Sequence, residues 1–290
     1  MAISRWQKIK LGLVQAWPLH NKLRIAGKLL PMKNKSNQPL FDGISYLNQN
    51  ALFLSNTGSY IDYSVFTTGS YEARISSLIQ SQVQPGDTVL DIGANVGVHC
   101  VTMAKLVGKE GKVYAFEPIG FLRKRLAKNI WINRLENVTI IPKALSNAKS
   151  EENVRFDSTS MNLGTMSLAN KGGSSTELVQ VEVGDEVIES NGINAVHFIK
   201  IDVEGFEFHV LSGLANTIGR HRPRIIFEYD QNYIKRITEE QNVSESLFSF
   251  FHSKEYALFA IEDHGLTTID RPEAFPASCN VFAIPQLPKE

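Results

Sequence analysis

DTVLDIGANVGVHC, residues 87–100, decides the fold of this chain. TVLDI is a short apolar run that reads as a buried strand, and VHCVTMAKLV after it reads as a helix. Gly93, Asn95 and Gly97 stand between them. Glycines here let the backbone turn sharply and come close to a ligand. The first amides of the following helix have no partners within the helix and face that ligand. In open α/β sheets, ligands lie outside the carboxyl ends of the strands. Asp91, at the carboxyl end of TVLDI, is therefore a binding candidate together with the loop after it.

A dinucleotide fingerprint requires Gly-x-Gly-x-x-Gly. Counted from Gly93, Asn95 and Val98 occupy the second and third positions, so the loop fails as a nicotinamide site. The spacing Asp-x-Gly-x-Asn-x-Gly instead resembles the first motif of class I methyltransferases. The next strand, KVYAFEP, ends in Glu117, 26 residues after Asp91. A carboxylate at that strand end can accept two hydrogen bonds from a ribose diol. The alternative is a surface glutamate before a turn proline; the glycine loop upstream favours the ribose.

Downstream, the chain alternates strands and helices. GFLRKRLAKNIWIN reads as a helix and VTIIPKAL as a strand; HFIKIDVEG is a strand, FEFHVLSGLANTIG a helix and PRIIFEYD a strand. Such alternation implies an α/β fold with parallel pairing, right-handed crossovers and helices on both faces of the sheet. The end differs: YALFAIE-DHG-LTTID reads as an antiparallel hairpin at one sheet edge, followed by the strand NVFAIP. Residues 147–180 are polar and rich in Ser and Gly, and 157–175 read as a substrate-facing loop or a surface connection. Upstream, residues 3–30 carry Ile3, Trp6, Ile9, Leu13 and Trp17 at helical spacing, broken by Pro18. ISYL, ALFLS and YIDYSVF read as β-prone runs of a small sheet, and YEARISSLIQSQV as a helix. The division that follows is a helical and small β appendage over 1–67 and a main domain over 68–290.

Taken together, TGSYEARIS (68–76), VLDIGANVGVHC (89–100), AFEP (115–118), FIKIDVEGFEFHVLSG (198–213) and NVFAIP (280–285) resemble the FkbM family of S-adenosylmethionine-dependent methyltransferases. The resemblance spans residues 68–285. It implies a Rossmann-like, seven-stranded methyltransferase sheet whose last strand is inserted antiparallel. It implies S-adenosyl-L-methionine as cofactor and methyl transfer to oxygen, usually a hydroxyl of a sugar, a glycan or a related secondary metabolite. It also implies that Tyr71 and Glu72 close over the cofactor. The residues assigned to the cofactor are thus Tyr71, Glu72, Asp91, Gly93, Asn95, Gly97, Glu117, Ala144 and Asp202. A non-catalytic adenosylmethionine-binding scaffold on the same fold is the competing reading.

In HFIKIDVEG, alternation puts Lys200, Asp202 and Glu204 on one face. Charges in an apolar strand are costly unless paired or functional. Asp202 can hold the cofactor's amino group, act as general base or bind a metal; a Lys200–Asp202 ion pair that only fixes the strand end is the structural alternative. Asp202 and Glu204 are the catalytic candidates, because a hydroxyl must lose its proton during transfer. Glu228 is a third carboxylate at the same edge, and Asp202 with Glu228 could chelate a divalent cation; a metal-independent mechanism is preferred. His99 either faces the cofactor or sits on its helix, and His209 is expected to be exposed.

Lys plus Arg and Asp plus Glu each total 30, so overall charge names no partner, and no nucleic-acid partner is expected. The distribution is uneven: eight Lys or Arg and no Asp or Glu precede Asp42, while the remainder has 22 basic and 30 acidic residues. Residues 1–40 therefore read as a contact for a membrane surface or an oligomer, or as a solvated helix packed on the domain. Cys100 and Cys279 have no short spacing, which excludes a zinc site or a disulfide framework and fits a reducing, cytoplasmic setting. No apolar stretch approaches the ~18 residues of a spanning helix, and no signal peptide is read near the N-terminus.

Overall fold

Each apolar run after Thr88 is too short to bury itself and must pair sideways, and the helices between the runs cover the sheet that results. The computed structural model describes residues 4–16, 22–33, 38–48, 50–156, 174–238 and 242–286. The N-terminal part comprises α1 (Arg5–Ala16), α2 (Lys22–Leu29), a hairpin of β1 (Asp42–Leu47) and β2 (Ala51–Asn56), and α3 (Tyr60–Thr68). Next come α4 (Ala73–Gln82), β3 (Thr88–Ile92), α5 (Val98–Val107), β4 (Lys112–Phe116), α6 (Gly120–Ile132) and β5 (Val138–Ile141). A side sheet follows, made of β6 (Ala144–Ser146), β7 (Ser150–Phe156) and β8 (Ser175–Val183), then α7 (Gly184–Ser190). The chain continues through β9 (Phe198–Ile201), α8 (Glu207–Gly213), α9 (Ala215–His221), β10 (Arg224–Asp230), α10 (Gln231–Thr238) and α11 (Val243–Ser253). It closes with β11 (Tyr256–Glu262), β12 (Gly265–Ile269) and β13 (Ser278–Pro285).

The main sheet runs β12-β11-β13-β10-β9-β3-β4-β5. β3, β4, β5, β9 and β10 are mutually parallel, and β13 is antiparallel to both β10 and β11. The inserted last strand is thus observed, but the sheet has eight strands rather than seven. β12 folds back on the outer edge of β11 and adds the eighth. From β3 the chain moves out to β4 and β5, then returns to β9 on the other side of β3. This reversal of strand order opens a crevice at the carboxyl ends of β3 and β9, where ligands bind in such sheets.

Strand alternation sorts the two cores. Leu90, Ile92, Ile199, Ile201, Ile225 and Phe227 pack with α7, α8, α9 and α11. Val89, Phe198 and Ile226 face the other way, against Ile75, Ile79, Met103 and Leu126 of α4, α5 and α6. Cys100 is buried in this second core as a small hydrophobe.

Four local expectations change. YIDYSVF is not a strand but the body of α3, whose residues 61–67 are all buried. A left-handed Gly69 closes this helix and donates its amide to Val65. Burial on all sides erases the helical period, leaving only β-prone residue types to read. VTIIPKAL divides into β5 and β6, which belong to different sheets, because Pro142 cannot donate to a ladder. FEFHVLSGLANTIG divides into α8 and α9 at Leu214. The polar region 147–180 contains β7 and β8, whose alternate residues Val154, Phe156, Val179 and Val181 are buried. The loop expected at 157–175 lies, up to residue 173, outside the described residues. No helix among the described residues is long and apolar enough to cross a membrane.

The β1–β2 hairpin and α3 join α6 through a polar seam. Arg125 and Asn129 of α6 and its C-cap Asn133 recur every fourth residue on one side. Asn133 accepts from the Leu52 amide (2.8 Å) and donates to the Leu52 carbonyl (2.7 Å). Asn129 accepts from the Leu54 amide (2.9 Å), and Arg125 donates to the Leu54 carbonyl (2.9 Å). Three side chains thereby pair the free edge of β2 as a strand would, removing an open edge. Arg125 also makes a bidentate pair with the fully buried Asp62 of α3, at 2.9 and 3.0 Å. Burial raises the Asp62 pKa even against Arg125, so the pair fixes geometry more than it adds stability. Asp62→Ala, which strands the arginine, should cost about 3–5 kcal/mol in chemical denaturation, whereas Asp62→Leu combined with Arg125→Met should recover most of that loss. A cost near that of a surface pair, below about 1 kcal/mol, would show that the seam does not hold α3 and the hairpin against α6.

Candidate active site

A cavity of about 300 Å³ opens at the carboxyl ends of β3, β4, β9 and β10. Every residue assigned to a site from the sequence lines it: Tyr71, Glu72, Asp91, Gly93, Asn95, Gly97, Glu117, Ala144, Asp202 and Glu204. His99, Lys200 and Glu228 line it as well.

The glycine loop has steric reasons for its residues. Gly93 sits at φ +81°, and a β-carbon there would fall 1.8 Å from the Asp202 backbone carbonyl. Gly97, at φ +92°, faces Leu126 of α6 so closely that a β-carbon would approach it to 2.5 Å. Asn95 is also left-handed, at φ +51°, a conformation Asn tolerates better than most side chains. Its amide donates to Glu117 Oε2 (2.9 Å), and the Ile119 amide donates to Oε1 (2.8 Å). Burial raises the Glu117 pKa to about 7, against these amides and Arg123. Two amides thus fix the carboxylate, and each oxygen keeps a second lone pair for a ligand.

Across the sheet, one face carries a row of charges. Asp91 stands opposite Lys200 in the β3–β9 register. Lys200 is 4% exposed and donates to Asp202 Oδ2 at 2.9 Å. Burial alone would lower the Lys200 pKa, but Asp202, Asp91 and Glu72 hold it above its ordinary value. The ion pair read as the structural alternative therefore exists, and Asp202 still borders the cavity. Asp91 is 1% exposed, and neither of its oxygens has a hydrogen-bond partner among the described residues. Burial raises its pKa, with Lys200 and His99 opposing.

Glu72 and Tyr71 approach from the start of α4. His99 bonds Glu72 Oε2 through Nε2 at 2.9 Å, and its ring lies 6.1 Å from that of Tyr71. His99 therefore faces the cavity rather than only completing its helix. Burial would raise the Glu72 pKa, but the His99 hydrogen bond and the charges of His99 and Lys200 hold it below the usual value. Glu72 (φ +45°) and Glu204 (φ +56°) are left-handed, as Asn95 is. Three non-glycine residues in this costly region border one cavity, a concentration typical of functional sites. Glu207 maintains the turn after β9: its Oε1 accepts the amides of Val203 and Gly205, both at 3.1 Å. His209 departs from expectation. It is half-buried, with Nδ1 enclosed, and packs edge-on to Phe206.

Asp202, Glu204 and Glu228 place carboxylate oxygens within 4.8 Å of one another. Such a trio has the donors and spacing for a divalent cation, but the Lys200 ammonium already supplies positive charge at Asp202. Burial, with Asp202 next in effect, raises Glu204 to about 8 and Glu228 to about 9.

Tyr60 and Ile61 of α3, Lys143, Phe206 and Glu207 were not singled out from the sequence. Glu207 lies within IDVEGFE and was available there. Tyr60 and Ile61 carry no signal, because only tertiary packing brings α3 to the cavity. A second groove of about 690 Å³ lies between α4 and the β11–β12 hairpin and shares Glu72 with the first. Its wall includes Asn280, the register partner of Glu228.

The raised carboxylates set a pH dependence. Their folded pKa values lie above the unfolded value, so the folded state binds protons more tightly. The associated stability is present near pH 4 and is lost as pH rises through about 8 to 9. Melting temperature should fall over that window, and Glu228→Gln should flatten the slope. An unchanged slope in this variant would remove Glu228 from the account.

Hexuronic acid methyltransferase AglP of Haloferax volcanii is 28% identical over 149 residues, which is 51% of this chain and 58% of that protein. A protein-L-isoaspartate O-methyltransferase of Ignicoccus hospitalis is 38% identical over 61 residues, 21% of this chain and 29% of that one. The chain thus matches less than two thirds of either relative's length. The crystal structure of methyltransferase FkbM from Methylobacillus flagellatus KT superposes with a TM-score of 0.44 at 15% identity, covering 77% of this chain and 54% of that one. The methyltransferase FkbM domain model matches residues 91–258, more than half of the chain, and on that match the chain belongs to the FkbM methyltransferase family.

Proposed function

We propose that this chain is an S-adenosylmethionine-dependent O-methyltransferase whose acceptor is a hydroxyl of a sugar, a glycan or a related metabolite. The observation that carries the reading is the carboxylate trio Asp202, Glu204 and Glu228, which borders a cavity already furnished with Asp91, Glu117 and the glycine loop. The cavity fits such a cofactor. Asp91 offers two buried acceptors with no partner among the described residues, suited to an ammonium group. Glu117 offers oriented lone pairs suited to a diol, and Gly93 keeps the loop open to a close backbone approach. The sugar acceptor is supported by the relative named a hexuronic acid methyltransferase. The groove between α4 and the β11–β12 hairpin provides room for it.

Adenosylmethionine supplies an electrophilic methyl group on a positively charged sulfur. Transfer to a hydroxyl forms a carbon–oxygen bond, breaks the carbon–sulfur bond and releases one proton. Glu204 is assigned as the acceptor of that proton. With its pKa raised to about 8, Glu204 is a stronger base than an ordinary carboxylate once ionised. A nearby positive charge favours its ionised form, and loss of that charge restores its affinity for a proton. Net charge in the cavity is then the same before and after transfer. Asp202, paired with the Lys200 ammonium, and Glu72, whose pKa His99 and Lys200 hold below the usual value against burial, border the site beside Glu204.

Tritiated adenosylmethionine with a panel of sugars and uronic acids tests the reading. Glu204→Gln should lower kcat by about 10²–10⁴-fold while adenosylhomocysteine affinity stays nearly unchanged. Adenosylmethionine should bind more tightly as pH rises toward 8, and neutral adenosylhomocysteine should not. Chelator treatment should leave the rate unaltered; a loss restored by magnesium would make the trio a metal site. Cofactor binding without turnover on any sugar would favour the scaffold reading.

A further inference from the structure

The helix α1 buries one side and leaves an apolar strip on another. Val14 is fully buried and, with the half-buried Leu11, packs among Ala26, Leu30, Leu40 and Tyr63. Trp6, Ile9 and Leu13 are 74%, 46% and 57% exposed. At ~100° per residue these three fall within a sector of about 60° on the helix. Arg5 flanks that sector on one side and Lys10 on the other, both exposed, and Lys8 is exposed too. No acid occurs before Asp42, whereas the rest of the chain carries 30 acidic against 22 basic residues.

We propose that this face of α1 seats the protein on an anionic lipid surface. Aliphatic and indole side chains flanked by cations suit the boundary between headgroups and acyl chains, where Trp is enriched. The cations suit lipid phosphates and serines, and the acidic body resists lying on the same surface, so one orientation is selected. Self-association through this face is disfavoured. An isologous contact would bring Arg5 and Lys10 of two copies together. The anchor is mechanically joined to the cavity: Tyr63 of α3 donates to the Leu30 carbonyl at 2.6 Å, and Tyr60 and Ile61 of the same helix line the active site. Acceptors presented at a membrane would then meet a site held at that surface.

Co-sedimentation of the full chain with vesicles tests the proposal. Wild type should pellet with phosphatidylcholine vesicles containing phosphatidylserine, should not pellet with phosphatidylcholine alone, and should be released by high salt. Trp6→Ser with Leu13→Ser, and separately Arg5→Gln with Lys10→Gln, should each weaken binding at least tenfold. All four positions are exposed, so adenosylhomocysteine affinity should match wild type in both variants. Pelleting that is equal in wild type and both variants, or absent in wild type, overturns the proposal. So does a lipid-free dimer, seen by sedimentation velocity, that Trp6→Ser with Leu13→Ser dissociates.

Discussion

The approach of Gly93 to the Asp202 backbone carbonyl is the contact on which the site depends. A β-carbon at residue 93 would sit 1.8 Å from that oxygen, so no other residue lets β3 and β9 end side by side. Their ends form the point at which strand order reverses. Because they meet, Asp91, Lys200 and Asp202 share one small volume, and the loop after Gly93 can fold over it. Glu117 enters from β4 and Glu228 from β10, and α4 supplies Glu72 from above. Each of these groups is correctly placed only because the two strands converge.

That convergence concentrates negative charge, and the structure manages it in three ways. Lys200 neutralises Asp202, and His99 holds Glu72 ionised. Glu204 and Glu228 instead hold protons more tightly than ordinary carboxylates, through burial and repulsion by Asp202. A site that is over-supplied with carboxylates but short of cations is poised to receive a cationic ligand. The left-handed backbone at Glu72, Asn95 and Glu204 belongs to the same economy of space: each bend delivers a polar group into a cavity that a relaxed chain would miss.

The site was more legible than the fold around it. Asp91, the glycine loop, Glu117 and Asp202 lie at or just after strand ends, so spacing placed them at the carboxyl edge of the sheet, and the family resemblance joined them to one cofactor. Tyr71 and Glu72 became visible only through family resemblance, because a helix-starting acid has no distinctive local pattern. α3 was misread because complete burial leaves no polar face to mark a period. β7 and β8 were hidden in a polar segment where only Val154, Phe156, Val179 and Val181 point inward.

By itself, the sequence determined an alternating α/β chain with a ligand loop after its first parallel strand and an antiparallel edge, since these follow from residue spacing within single segments. Tertiary structure alone decided what those segments meet. It set α6 side chains against the edge of β2, brought Tyr60 and Ile61 to the cavity, gathered Glu228 with Asp202 and Glu204, and turned Trp6, Ile9 and Leu13 outward while Val14 turned in. The physical reason is that spacing specifies which face of an element is apolar, whereas the partner of that face, and the proton affinity of any charge buried there, depend on residues far away in the chain.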